Sequence, residues 1–179
     1  FNKLEKDVRL KKFQVLKEDK KKYKQYKLKS KFEEYKEKEK NSSNVLKNLK
    51  QKIKIVKCNK KNFNRALQLF NKTNQFNFSL NRYKSVGLSK IIRDKNYTLR
   101  LITFKDKFGD HGLIGSYVIK KEKKHLRIID FLLSCRVLYR YIEDYTISNI
   151  IKKNKLKKIL INYKPSNLNN KLVPIFLKK

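Results

Sequence analysis

The sequence has no methionine and no tryptophan, and only four glycines, two prolines and two cysteines in 179 residues. Cys58 and Cys135 stand far apart, and neither they nor His111 and His125 have the spacing of a zinc site, so reduced thiols and no metal are expected. No apolar stretch reaches the roughly 18 to 20 residues of a membrane span. The first residues carry no signal-peptide core. The expected location is therefore cytoplasmic. Acidic residues are also scarce, 15 against 49 Lys and Arg, which leaves a formal charge of +34.

Such a charge attracts polyanions, because each phosphate neutralised releases counterions. The excess is almost wholly Lys and travels with many Asn and Ile residues, the pattern of A- and T-rich codons. A surface selected to read nucleic acid would favour Arg, whose fork binds phosphates and base edges bidentately. Drift towards Lys is the simpler source of the charge, and non-specific nucleic-acid binding at low salt its expected consequence. The 39% hydrophobic content supplies one domain with a core.

Residues 1–44 spread Leu4, Val8, Phe13, Leu16, Tyr23, Tyr26, Phe32 and Tyr35 among Lys and Glu with a loose helical period, and residues 1–40 hold no Gly or Pro. A solvated, Lys-rich helical arm is expected there, poorly ordered without a partner. Asn41 and Ser42 offer a cap or break. A globular domain then runs over 45–179, with a short helix at Val45, Leu46 and Leu49 and a β-branched strand in IKIVKC. Helices are expected over Asn62–Phe70 and Asn81–Ile92, and strands over Tyr97–Lys105, Gly112–Lys120 and His125–Ser134. FGDHG is read as the turn between the first two of these strands. From Arg136 the apolar period becomes helical at Leu138, Tyr141, Ile142 and Tyr145, followed by a strand at Lys158–Tyr163. Strand, helix, strand implies a parallel crossover in a mixed α/β sheet flanked by helices. Asn169–Leu177 could open a last helix, after which no further strand covers the sheet edge.

In four segments the lysine background falls away: RALQLFNKTNQFNFS, FKDKFGDHGLIGS, IIDFLLSCRVLYRYIED and NYKPSNLNN. In order and approximate spacing they resemble the C-terminal half of the FkbH-like proteins, subfamily IIIC of the haloacid dehalogenase phosphatases. The resemblance implies a GNAT-like acyltransferase domain, C-terminally truncated, whose family joins it to an aspartate-dependent phosphatase and moves a glyceryl unit onto a carrier-protein thiol. Residues 1–44 then correspond to the linker from that phosphatase. Its Asp-x-Asp nucleophile pair occurs nowhere here, so the phosphatase half and its Mg would have to be supplied separately. A natural remnant, a split subunit and a truncated fragment all fit. An acyl carrier protein with its phosphopantetheine is the implied partner, and this chain carries no cofactor of its own.

The same resemblance implies that the strand ending at Ser134 feeds a helix whose N-terminal amides cradle a pyrophosphate. Family members resemble Ser-Cys-Arg-Val-Leu-Gly-Arg-Gly-x-Glu at this point. This chain keeps Ser134, Cys135, Arg136, Arg140 and Glu143 but places Tyr139 and Tyr141 where the glycines fall, and a tyrosyl bars the close phosphate approach that Gly permits. Arg136 and Arg140, one helical turn apart, are candidate anion contacts. Cys135 is the candidate nucleophile, since a helix N-terminus beside an Arg favours thiolate; a small buried hydrophobe is the plainer role for such a Cys. Lys72, Asn74, Gln75 and Asn77 suit either substrate positioning or a polar network tying a helix end to the sheet. Asp106 is a candidate general base, or like Gly109, Asp110, His111 and Gly112 a turn residue. The rival functions are a non-catalytic scaffold and a polyanion-binding basic protein.

Overall fold

A computed structural model describes residues 17–38, 48–123, 125–154, 158–169 and 171–177. Val45, Leu46 and the arm before Lys17 lie outside them. The arm forms α1 (Lys17–Lys38). It is less solvated than its composition implies, because Leu28 and Phe32 are buried. Phe32 joins Leu49, Tyr35 and Phe108 in a small cluster, and the Lys107 ammonium lies 3.1 Å from the Tyr35 ring centre.

The sheet comprises β1 (Lys52–Lys57), β2 (Phe76–Asn77), β3 (Tyr97–Asp106), β4 (Gly109–Lys121), β5 (Leu126–Leu133) and β6 (Ile159–Ile161). The path β1-β3-β4-β5-β2 is antiparallel throughout, and β6 joins β5 in parallel. With β4 along one edge of β5, β6 pairs at Leu126–Ile128 and β2 at Leu132 and Leu133 on the other. Side chains alternate across the sheet with period two. Leu99, Leu101, Val118 and Leu132 pack with Ala66, Leu69 and Phe70 of α2 (Phe63–Lys72) and Leu88 of α3 (Ser85–Arg93). Phe104, Tyr117, Ile128 and Phe131 pack with Ile142 and Ile150 of α4 (Ile142–Asn154) and Val173 of α5 (Val173–Leu177). The result is the mixed sheet with helices on both faces that the element order predicts.

Gly115 sets the spacing of β4 and β5, because an added Cβ would lie 2.7 Å from the Leu132 carbonyl oxygen and 2.5 Å from a Leu133 methyl carbon. Three boundaries differ from expectation for identifiable reasons. The β3–β4 turn is Lys107–Phe108, taking only the first residue of FGDHG, because Asp106 Oδ1 accepts from the amides of Phe108 at 2.9 Å and Gly109 at 3.2 Å. Gly109, Asp110, His111 and Gly112 belong to β4, where Gly112 takes φ +67° beside a register shift. α3 starts at Ser85 because Asn81 and Tyr83 are held outside it by Asp130, at 2.9 and 2.6 Å.

The crossover helix starts at Ile142, six residues past Arg136. Cys135–Val137 is a 3-10 turn, and Tyr139 and Tyr141 have φ of 64° and 57°, a left-handed backbone that no α-helix accommodates. Those are the positions where glycine was expected from the resemblance.

Candidate functional site

The β5–α4 turn is anchored by the Ser134 amide donating to the Ile114 carbonyl at 2.7 Å. Cys135 is exposed at its mouth. The next side chain folds back, so that Arg136 Nε donates to Ser134 Oγ at 3.0 Å. Its two terminal nitrogens are buried without a hydrogen-bond partner. Burial and then the like charge of Arg65, on α2, pull the Arg136 guanidinium down to about 10, opposed by Cys135 and Tyr26. Burial also lowers Arg65, which donates through Nη1 to Gln68 Oε1. Arg65 was missed in the sequence reading. Its signal was an arginine surviving in a lysine-rich chain, inside one of the four constrained segments.

Arg136 and Arg140 are not successive turns of a helix. Arg140 runs inward, 1% exposed, with its guanidinium carbon 4.0 Å from the Phe32 ring centre and 5.4 Å from that of Phe104. Nη1 donates to Asp106 Oδ2 at 2.7 Å, and the same nitrogen lies 3.2 Å from His111 Nε2. Burial pushes the Asp106 carboxyl up, but His111 and Arg140 outweigh it and hold it below its ordinary range. Burial lowers Arg140 while Asp106 opposes that shift. With Oδ1 on the turn amides and Oδ2 on Arg140, Asp106 sits in a buried clamp joining the arm, the hairpin and the β5–α4 turn.

The NKTNQFN residues divide. Lys72 and Gln75 are exposed. Asn74 accepts from Arg82, whose guanidinium also donates to the carbonyls of Phe70 and Thr73. Asn77 is buried, donating to Thr73 O at 3.0 Å and accepting from the Leu80 amide at 3.0 Å, while its own carbonyl accepts from Asn169 at 2.7 Å. For Asn74 and Asn77 this is a network tying the end of α2 to the sheet. A second network went unread: Ser79, Asn81 and Tyr83 all donate to Asp130, a wholly buried carboxyl in β5 that burial pushes up. A lone Asp inside the apolar run IIDFLL was its only signal.

A pyrophosphate does not fit the amide end of α4. Glu143 and Asp144 occupy its first turn and complement the positive end of the helix dipole themselves. Tyr139 and Tyr141 flank it, 61% and 53% exposed. On the edge of β5 beyond β6, the Phe78 amide donates to Phe131 O at 3.0 Å and the Phe78 carbonyl accepts from Lys164 N at 2.8 Å. The chain's own backbone therefore takes the hydrogen bonds that an extended pantetheine arm would need there.

No protein-family model and no curated protein matches this sequence. Solved structures resemble its fold loosely. A ribosomal-protein-S18-alanine N-acetyltransferase from Escherichia coli aligns over 57% of this chain and 59% of its own at 5% identity, with a TM-score of 0.43. This chain thus spans less than two thirds of that enzyme. An aminoglycoside acetyltransferase from an uncultured soil metagenomic sample aligns over 73% and 90% at 9% identity, TM-score 0.49. A Trypanosoma brucei acetyltransferase aligns over 71% and 90% at 15% identity, TM-score 0.46. At these scores the likeness is one of strand layout and says nothing about chemistry. Among the described residues no helix is long and apolar enough to cross a membrane.

Proposed function

We propose that this chain is a GNAT-like acyl-transfer domain of the FkbH-like kind, carrying an acyl unit such as glyceryl on Cys135 and passing it to a carrier-protein thiol, with a phosphatase half supplied separately. The observation that carries the reading is the exposed Cys135 thiol at the mouth of a strand–turn–helix crossover, next to an arginine whose terminal nitrogens lack acceptors. Cys135 Sγ attacks the carbonyl carbon of an activated acyl donor, a C–S bond forms, and the donor's leaving group departs with the electron pair of the broken bond. A carrier thiolate then attacks the thioester and Cys135 leaves as thiolate. An acidic carrier protein suits the +34 charge of this chain.

The test is intact-mass analysis of the wild-type chain and Cys135→Ala with phosphorylated glycerate and the phosphatase half. A hydroxylamine-labile adduct on wild type alone is expected. Equal labelling of both proteins refutes the covalent role.

A second reading, a docking scaffold without catalysis, is favoured by the tyrosines at positions 139 and 141. It predicts that a carrier protein binds wild type and Cys135→Ala equally, with no adduct on either.

A further inference from the structure

A surface cavity of about 470 Å³ lies between the end of β1, the start of α2 and the end of α3, and no residue of the β5–α4 turn lines it. Small-molecule sites span about 300 to 1,000 Å³. Cys58 and Phe63 line the cavity and also pack against the buried cluster of Ala66, Leu69 and Leu88, so its inner side is apolar. Ile92, 40% exposed, adds an apolar side chain that the core leaves uncovered. The rim beside Cys58 is fixed in advance. The Asn59 amide donates to Asn62 Oδ1 at 2.7 Å, and Asn59 Oδ1 accepts from the amides of Lys61 at 3.0 Å and Asn62 at 3.3 Å. Ser89 and Arg93, four positions apart on α3, share one helical face, and both line the cavity. Arg65, Arg82, Arg100, Arg127, Arg136 and Arg140 each donate to an acceptor in the chain, whereas Arg93 has no hydrogen bond or ion pair among the described residues. The Ser89 hydroxyl and the ammonium of Lys60, also on the lining, are likewise without a partner there, and no carboxylate of the described residues lines the cavity.

We propose that this cavity binds a small amphipathic carboxylate, an aliphatic or aromatic acid whose apolar body covers Cys58, Phe63 and Ile92 while its carboxylate accepts from Arg93 and Ser89. A planar guanidinium fork offers two parallel donors that match a carboxylate. The Ser89 hydroxyl adds a third donor, and Lys60 a second positive charge. A neutral ligand would leave that charge unanswered, and a small inorganic anion would leave the apolar side chains wet. Offsetting the carbonyl end of α3 does not account for Arg93, because Lys90 in the same turn already serves it. The site is separate from Cys135 and does not depend on the acyl-transfer reading.

The experiment measures the rate at which N-ethylmaleimide labels Cys58, read by peptide mass spectrometry, with Cys135 as the reference thiol in the same protein. Cys58 lines the cavity, so an occupant shields it, whereas Cys135 is exposed elsewhere. Octanoate is expected to slow Cys58 labelling saturably and to leave Cys135 unchanged. Octanamide, with the same body and no charge, should need about tenfold more for equal protection, the loss of one charge-assisted hydrogen bond. Acetate, with the charge and no body, should give none at the same concentration. Arg93→Gln should raise the half-protecting octanoate concentration by about tenfold and leave that of octanamide within about twofold. Lys52→Gln removes an equal charge outside this cavity and should leave both within about twofold. Positions 52 and 93 are exposed, so neither substitution disturbs the core. Absence of saturable protection by octanoate, equal slowing of Cys135, acetate as effective as octanoate, or a wild-type octanoate response in Arg93→Gln overturns the site.

Discussion

Replacing Tyr139 by glycine and, separately, by alanine isolates the backbone of the β5–α4 turn from the ring it carries. Tyr139 has φ of 64°, a region where any Cβ crowds the following carbonyl, at about 1 to 2 kcal/mol per residue. Alanine removes the ring and keeps the Cβ, so it forfeits the contact with Lys36, whose ammonium lies 5.5 Å from the ring centre. At an exposed site such a contact is worth about 0.5 kcal/mol. Glycine forfeits the same contact but releases the strain, offset by roughly 0.5 to 1 kcal/mol of extra chain entropy in the unfolded state. Tyr139→Gly should therefore be more stable than Tyr139→Ala by about 0.5 to 1 kcal/mol, a melting difference of about 1 to 4 °C in a chain of this size. Tyr141, at 57°, should show the same order. Urea unfolding with matched slopes measures the difference directly. An alanine variant as stable as or more stable than the glycine variant at both positions would refute the left-handed turn, and with it the placement of the α4 start at Ile142.

Gly115→Ala should cost about 3 kcal/mol, because its Cβ meets a backbone carbonyl of β5 that cannot rotate away; calorimetry of the variant checks it, and a loss under about 1 kcal/mol would mean that the strands can part. Asp106→Asn should cost about 3 kcal/mol at pH 7 by leaving Arg140 buried without its counter-charge. The Asp106 carboxyl is depressed in the fold, so its stabilisation is present above the ordinary Asp value and is lost as pH falls through the folded one. Asp130, raised by burial, works in the opposite sense, and Asp130→Asn should gain on the wild type as pH rises above the ordinary Asp value; a flat difference between pH 4 and 8 would contradict that sign. Binding to DNA should fall steeply and linearly with log salt and yield to any other polyanion, whereas a sequence preference surviving competition would point to a selected nucleic-acid site.

Element type and order were legible because period-two and helical patterns survive heavy substitution by Lys. IKIVKC, the Tyr97 strand and the two strands of the crossover appear where the apolar residues place them, whereas the crossover helix starts at Ile142, past Leu138 and Tyr141. The boundaries that moved were set by side-chain hydrogen bonds that periodicity does not encode: Asp106 on the hairpin amides, and Asp130 on Asn81 and Tyr83. The two-residue strand β2 was invisible for a related reason, since Phe76 and Asn77 have too few positions to show alternation and are fixed by β5 and Asn169.

The electrostatics inverted more instructively. Arg136 and Arg140 are four positions apart, which on a helix would put both on one face. Two left-handed tyrosines flank the second arginine, which turns inward to Asp106 while the first folds back onto Ser134. In a chain of charge +34 most cations are interchangeable and solvated, so charge alone marks nothing. The position of a buried guanidinium relative to its acceptors does. Among the described residues, Arg140 has a carboxylate partner in Asp106, whereas the acceptor of Arg136 is Ser134 Oγ. The aim of each guanidinium out of the turn, and not its spacing in the sequence, therefore makes Arg140 part of the buried clamp and leaves Arg136 on the turn that carries Cys135.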